Sequence, residues 1–196
     1  DILNNVTNLP QSVDYTVTPT SVSGCQGDPF MITINVNPEP VGINASTVIC
    51  SNLMVAYDLQ VNVDNQGNGL PALFNWSAGS NLNVSGESNL VKTANLIDDE
   101  LTNNTNVVQN VIYTVNPTAQ ATGCAGNTFT ITVAVNPRAK ISAGPDLAVC
   151  ENFPSIELQG SIDYAPAGVL WTGGTGSYSS AADETADYFF TKPGEV

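Results

Sequence analysis

The sequence predicts an all-β chain of tandem β-sandwich domains, and three observations carry that prediction. A hairpin-like stretch occurs twice, apolar residues recur with the period of two that strands require, and no amphipathic helical pattern of useful length is present. The first copy runs from Tyr15 to Pro38 and the second from Tyr113 to Pro137. In the first, Val13, Tyr15 and Val17 fall on one face, and beyond a glycine-bearing turn Phe30, Ile32, Ile34 and Val36 do the same. In the second, Val111, Tyr113 and Val115 are answered by Phe129, Ile131, Val133 and Val135. Each is a half-buried β-hairpin with one apolar face.

The repetition extends beyond the hairpin. Leu3, Asn5, Thr7, Asn8 and Gln11 recur as Leu101, Asn103, Thr105, Asn106 and Gln109, and Val48 to Cys50 are echoed by Ala148 to Cys150. The period, about one hundred residues, is that of a domain and not of a solenoid. Proline ends a strand and stiffens the backbone beyond it, so Asn37-Pro38-Glu39-Pro40 and Asn136-Pro137-Arg138 are the expected joints. Residues 1–39 then read as the back part of one sandwich, 40–138 as a complete one, and 139–196 as the front part of a further, truncated one.

Within the complete unit, Ile43 to Ile49 and Leu53 to Val63 read as the first two strands, and Asp64 to Gly69 as a turn. Ala72 to Ser77, carrying Trp76, is the third strand. Asn81 to Ser85 and Val91 to Ile97 come next, and the hairpin closes the unit. About seven strands in a hundred residues fit a sandwich of immunoglobulin-like or PKD-like type. The third unit opens at Ile141, continues through Ser155 to Leu158, and places Trp171 before a glycine-rich turn. Tyr188 to Phe190 reads there as a strand awaiting its partner.

Composition narrows the function. The chain has 196 residues, 42% of them apolar, enough for real cores. Four basic residues stand against eighteen acidic ones, and the net charge of −14 repels phosphates and anionic lipid, so no nucleic-acid partner and no membrane insertion are expected. Neither an apolar run approaching the ~20 residues of a membrane span nor a signal-like amino terminus is present. The expectation is a soluble extracellular segment whose export signal lies outside it, in keeping with Thr, Val, Asn and Gly enrichment over Lys and Glu. With no histidine, nucleophile motif or phosphate-cradling loop, the chain is not expected to be an enzyme. Adjacent carboxylates at Asp98 and Asp99 would point to opposite faces of a strand, which removes a glycosidase-like pair.

Each remaining candidate has a bland counterpart. Cys50 and Cys150 follow a first strand while Cys25 and Cys124 sit in hairpin turns, one of each kind per repeat, so a Cys50–Cys124 bridge follows from counting, with Cys25 and Cys150 lacking assigned partners. The order Cys50, Trp76, Cys124 resembles immunoglobulin domains, but Cys124 lies in the turn. The two thiols would then be at opposite ends of the sandwich, and a bridge between successive domains or free thiols are the rivals. Calcium is the candidate cofactor, with Asp64, Asp98, Asp99 and Asp146 as ligands; ordinary turn chemistry is the favoured reading because no calcium-loop spacing is present. Trp76 and Trp171 suit a core better than a sugar platform. Asn5, Asn44, Asn75, Asn83 and Asn103 form Asn-x-Ser/Thr sequons that such a composition produces by chance. A lysine–asparagine crosslink would have Lys92, Lys140 and Lys192 to draw on and is not expected.

The motifs VNPEPV, VIC, GCQG and YTVTPTS, with AGPDLAVCENFPSIELQGSI and WTGGTGSYSS, resemble repeats of the very large cell-surface adhesins of Bacteroidetes, including SprB-like gliding-motility adhesins and PKD-like repeat proteins. The resemblance covers essentially the whole chain. It implies type IX secretion, a long surface filament, neighbouring repeats as partners, and attachment to a substratum or surface polysaccharide during gliding. A carbohydrate-binding module using exposed aromatics such as Tyr178 or Tyr188 is the alternative. The hairpin of residues 1–37 and the front half of residues 139–196 each present an uncovered apolar face. Exchange between neighbouring molecules would satisfy both faces, as would a longer filament whose missing strands lie outside this sequence; the filament is the expectation.

Overall fold

The computed structural model describes residues 2–150, 153–163 and 168–191. At the amino-terminal end, β1 (Gln11–Val17) and β2 (Phe30–Val36) form an antiparallel hairpin with Tyr15 opposite Ile32. The middle region contributes β3 (Ala45–Cys50), β4 (Leu53–Met54), β5 (Tyr57–Asp58), the helix α1 (Leu59–Gln66), β6 (Ala72–Ala78), β7 (Val84–Ser85), β8 (Lys92–Thr93) and β9 (Leu96–Ile97). It continues with β10 (Glu100–Asn103), β11 (Gln109–Ala119) and β12 (Phe129–Asn136). The last region holds β13 (Lys140–Ser142), β14 (Ser155–Glu157), β15 (Ser161–Asp163), β16 (Ser177–Tyr178) and β17 (Asp187–Phe189). Among the described residues the fold is all-β apart from α1.

The main sheet of the middle region has the order β3-β12-β11-β6-β8. β3 runs parallel to β12, and the other neighbours are antiparallel. Small sheets β4-β10-β7 and β5-β9 supply the second layer. Between them lies one buried cluster, with Phe74, Trp76, Tyr113, Ile131 and Val133 from the main sheet facing Leu59, Val63, Ile97 and Leu101. The hairpin alternation is what this cluster uses: along β12 every second side chain, from Phe129 to Val135, is buried.

Several elements differ from the sequence expectation. The stretch from Leu53 to Val63 is not one strand; it breaks into β4 and β5 and then turns into α1. Asp58 caps that helix, its Oδ1 accepting from the N–H groups of Gln60 and Val61 at 2.9 and 3.2 Å. Leu59 and Val63, four residues apart, are fully buried while Val61 between them is 48% exposed, so the helical period holds and the strand period does not. Asp64 to Gln66 belong to the helix, and only Gly67 onward forms the turn. Residues 81–85 and 91–97 shorten to two-residue strands. In the last region residues 145–150, counterparts of β3, form no strand, because no counterpart of β12 lies beside them among the described residues.

Candidate functional site

A joint between repeats is built where Asn37 to Val41 crosses from the first hairpin into the middle region. Pro38 and Pro40 are buried. A Cβ at Gly67 would fall on the Val41 carbonyl and one at Gly126 on the Pro40 carbonyl, so both positions admit the linker only because they are glycine. Asn68 clamps the crossing: its Nδ2 donates to Glu39 O at 2.9 Å and to Thr7 O at 3.3 Å, and its Oδ1 accepts from the Val41 N–H at 3.1 Å. One side chain thus ties a loop of the preceding repeat, the linker, and the first residues of the next unit. The second joint is more open, with Pro137 half-buried and Arg138 and Ala139 exposed.

A second device precedes each hairpin and is the same in both copies. Asn103 Nδ2 donates to Val107 O and Val135 O, each at 2.8 Å, and its Oδ1 accepts from Thr105 N and Oγ1 at 2.9 and 2.8 Å. Asn5 repeats this with Leu9 O and Val36 O at 2.8 and 2.7 Å and with Thr7 N and Oγ1 at 3.0 and 2.7 Å. The asparagine staples the incoming loop to the last strand of the hairpin. The second copy has one further bond, Asn103 N–H to Ser51 Oγ at 2.9 Å, from the front half of its own unit.

The third polar cluster is a buried carboxylate. Asp99 is 4% exposed and accepts from Ser88 N and Oγ at 2.7 and 2.6 Å, from Lys92 Nζ at 3.0 Å and from Tyr113 OH at 3.0 Å. Burial pushes this carboxyl upward, but the donated bonds, from Ser88 first and then from Lys92 and Tyr113, outweigh it and hold Asp99 below the usual carboxylate value. Lys92 is raised by its bonds to Asp98 and Asp99, and Tyr113 is raised first by burial and then by the Asp99 charge. Lys92 also lies over the Trp76 ring, 5.1 Å from its centroid. The cluster pins residues 88–99 to the main sheet; Tyr113, hydrogen-bonded here, is not available to act as a base.

The predicted site residues are dispersed. Asp98 and Asp99 do not point to opposite faces; they precede β10 outside any strand, and both reach Lys92 Nζ at 3.0 Å. Asp64 accepts from Gln60 Nε2 at 2.8 Å on α1, and Asp146 lies exposed in the last region. Among the described residues no group of three or more Asp, Glu or Cys is placed to hold a metal ion. All four cysteines are free thiols, and the register explains why Cys50 and Cys124 do not bridge. Cys50 pairs with Asn136 at one end of β12, while Cys124 precedes Phe129 at the other, a strand length of about 23 Å away.

Trp76 is core, 0% exposed and edge-on to Tyr113 at 5.6 Å, with its indole N–H unpartnered. Trp171 is half-buried and donates to Asp183 O at 2.8 Å. Tyr178 and Tyr188 are not exposed platforms: they are half-buried, 5.1 Å apart, and Tyr188 OH accepts from Gly176 N at 2.7 Å. The sequon asparagines carry structure. Besides Asn5 and Asn103, Asn44 accepts from Thr130 N at 2.8 Å, Asn75 from Thr93 Oγ1 at 2.6 Å, and Asn83 donates to Gln109. Lys140 stands 4.0 Å from Asp163, and Lys192 lies outside the described residues. Sequence reasoning missed the Asn68 clamp and the Asn5 and Asn103 staples; the coincidence of Asn-x-Thr in both repeats was the available signal for the staples.

None of the curated proteins matches the chain. Among solved structures, the crystal structure of human desmocollin-1 ectodomain is similar at 13% identity and a TM-score of 0.26, covering 97% of this chain and 40% of that one. This chain therefore spans less than half of that ectodomain. The family model of the PKD-like domain matches twice, over residues 1–40 and again over residues 47–139. With paired hairpins, paired asparagine staples and two matches in tandem, this chain belongs to the PKD-like domain family.

Proposed function

We propose that the chain is a non-catalytic stalk segment of a long repetitive cell-surface adhesin filament, serving surface attachment and gliding motility outside the cell. The observation that carries this reading is the joint: a stalk transmits position and force only if successive domains resist hinging. Buried Pro38 and Pro40 and the Asn68 clamp supply that resistance by chain stiffness and direct bonds. The tandem family matches and the resemblance to adhesin repeats support the same role. Neighbouring repeats are then the first partners, and a surface polysaccharide or substratum would be met elsewhere on the filament.

Residues 40–138 are proposed as the complete domain. The buried cluster from Val55 to Val135 lies wholly inside them, so this segment expressed alone is expected to unfold cooperatively; a broad, non-cooperative melt would refute those boundaries. Small-angle scattering of the whole chain tests the stalk: an elongated particle is expected, and a compact one contradicts it. The carbohydrate-module reading loses its platform with Tyr178 and Tyr188 packed together, and a glycan array is expected to show no binding.

A further inference from the structure

The asparagine that clamps the first joint also belongs to the one Asn-Gly pair in the sequence, Asn68-Gly69. In such a pair the glycine nitrogen can close on the asparagine amide, because no Cβ shields it and the glycine backbone turns freely toward the side chain. Gly69 stands in open space, with nothing within 4 Å of where its Cβ would be. What opposes ring closure is the clamp. The Asn68 amide is engaged at both ends, Nδ2 with Glu39 O at 2.9 Å and Thr7 O at 3.3 Å, and Oδ1 with the Val41 N–H at 3.1 Å. The Gly69 N–H is itself committed to Val63 O at 3.0 Å, at the end of α1. Ring closure requires the amide to swing back onto its own backbone, and these bonds hold it away.

We propose that Asn68 is a deamidation site gated by the joint: it is protected while the linker is docked, and once the linker undocks it converts to a carboxylate that keeps the joint open. In the first step a bond forms between Gly69 N and Asn68 Cγ as the Cγ–Nδ2 bond breaks, and the amide nitrogen leaves as ammonia with the Gly69 proton. Water then opens the cyclic imide at either carbonyl, which gives aspartate or isoaspartate at position 68. No oxidant or enzyme is needed.

Neither product restores the clamp. Aspartate keeps the acceptor for the Val41 N–H but presents an oxygen where Nδ2 stood, facing the Glu39 and Thr7 carbonyl oxygens, so both donated bonds are lost. Isoaspartate adds a carbon to the backbone and takes one from the side chain, which displaces the Val41 acceptor as well. An undocking that is reversible in the fresh chain thereby becomes a permanent change from a fixed joint to a hinge. The inference rests on the clamp alone and holds whether or not the chain serves as a stalk.

The test ages the 196-residue chain and its Gly126→Ala variant at neutral pH and follows residue 68 by peptide mapping, with an isoaspartyl methyltransferase to detect isoaspartate. A Cβ at position 126 would fall on the Pro40 carbonyl, so the variant pushes the linker off without altering the sequence around Asn68. A synthetic peptide of residues 64–73 sets the unprotected rate. Because the rate follows the undocked fraction, the original chain is expected to convert at least about tenfold more slowly than the peptide, and Gly126→Ala to approach the peptide. Exchange protection along β11 and β12 verifies that the variant is folded; if it is not, Val41→Pro, which removes the N–H bonded to Asn68 Oδ1, takes its place. In the deamidated fraction of the aged original chain, hydrogen exchange at Val41 is expected to be at least as fast as in Asn68→Asp. A rate in the original chain within about threefold of the peptide overturns the proposal, as does an unchanged rate in the folded variant. A deamidated fraction whose Val41 exchange equals that of the fresh chain overturns it too.

Discussion

Replacing Asn68 with Ala is expected to release the linker without unfolding the domain it serves. The substitution removes three hydrogen bonds, to Glu39 O, to Thr7 O and from the Val41 N–H, of which the 3.3 Å contact to Thr7 is the weakest. At a net ~0.5–1.5 kcal/mol for each bond, discounted because Asn68 is only half-buried, the docked linker loses about 2 kcal/mol. That is a factor of roughly 30 in the docking equilibrium. The Val41 amide reports it directly, since its hydrogen-bond acceptor is the side chain removed. Hydrogen exchange at Val41 is expected to accelerate by about thirtyfold, while exchange along β11 and β12 and the thermal midpoint stay unchanged because Asn68 lies outside the buried cluster. Asn68→Asp keeps the acceptor for Val41 and loses the donors, so an intermediate rate is expected. An exchange rate at Val41 within about threefold of the original would refute the clamp.

Asn103→Ala is expected to cost about 3 kcal/mol, because it leaves the Val135 carbonyl without its buried donor and frees the Thr105 loop, lowering the midpoint of the middle unit by roughly 12 °C or more in calorimetry. Asn5→Ala removes the equivalent bonds from a hairpin outside the buried cluster and is expected to leave that transition in place; equal losses from both would contradict the assignment. Thermal melts against pH are expected to give a plateau with two limbs. Asp99 is lowered in the folded state, so its contribution is present above the unfolded value near ~4 and is lost as pH falls through the folded one. Lys92 and Tyr113 are raised, so theirs are present below unfolded values near ~10 and are lost as pH rises through the folded ones. Asp99→Asn is expected to flatten the acid limb, and an unchanged limb would show that Asp99 does not drive it.

The hairpins were legible in the sequence because their period of two runs unbroken from Phe129 to Val135 and repeats from Phe30 to Val36. The helix α1 was not, since Leu59, Val61 and Val63 satisfy a strand and Leu59 and Val63 satisfy a helix; the Asp58 cap and the burial of Asn62 decide between them. Asn62 is buried because it bonds Ile43 O and Tyr57 OH at 3.1 and 3.0 Å, contacts that no local pattern announces. The same holds for the site. Asn68 sat in the stretch from Asp64 to Gly69 that reads as a turn, and its partners lie up to 61 residues away. Asp99 looked like half of an acidic pair until the fold brought Ser88, Lys92 and Tyr113 to it. Counting cysteines suggested a bridge that the parallel pairing of β3 with β12 forbids, because a parallel partner carries Cys50 away from the turn and not back to it.

Small-angle scattering on the whole chain, extrapolated to infinite dilution so that association between copies does not contribute, tests the stalk most directly. A compact particle of 196 residues has a radius of gyration of about 16 Å. The stiff first joint, clamped by Asn68, predicts a value clearly above that and a distance distribution with an extended tail, both moving toward those of a flexible chain in Asn68→Ala. A radius of gyration at about 16 Å with a symmetric distribution would contradict the account.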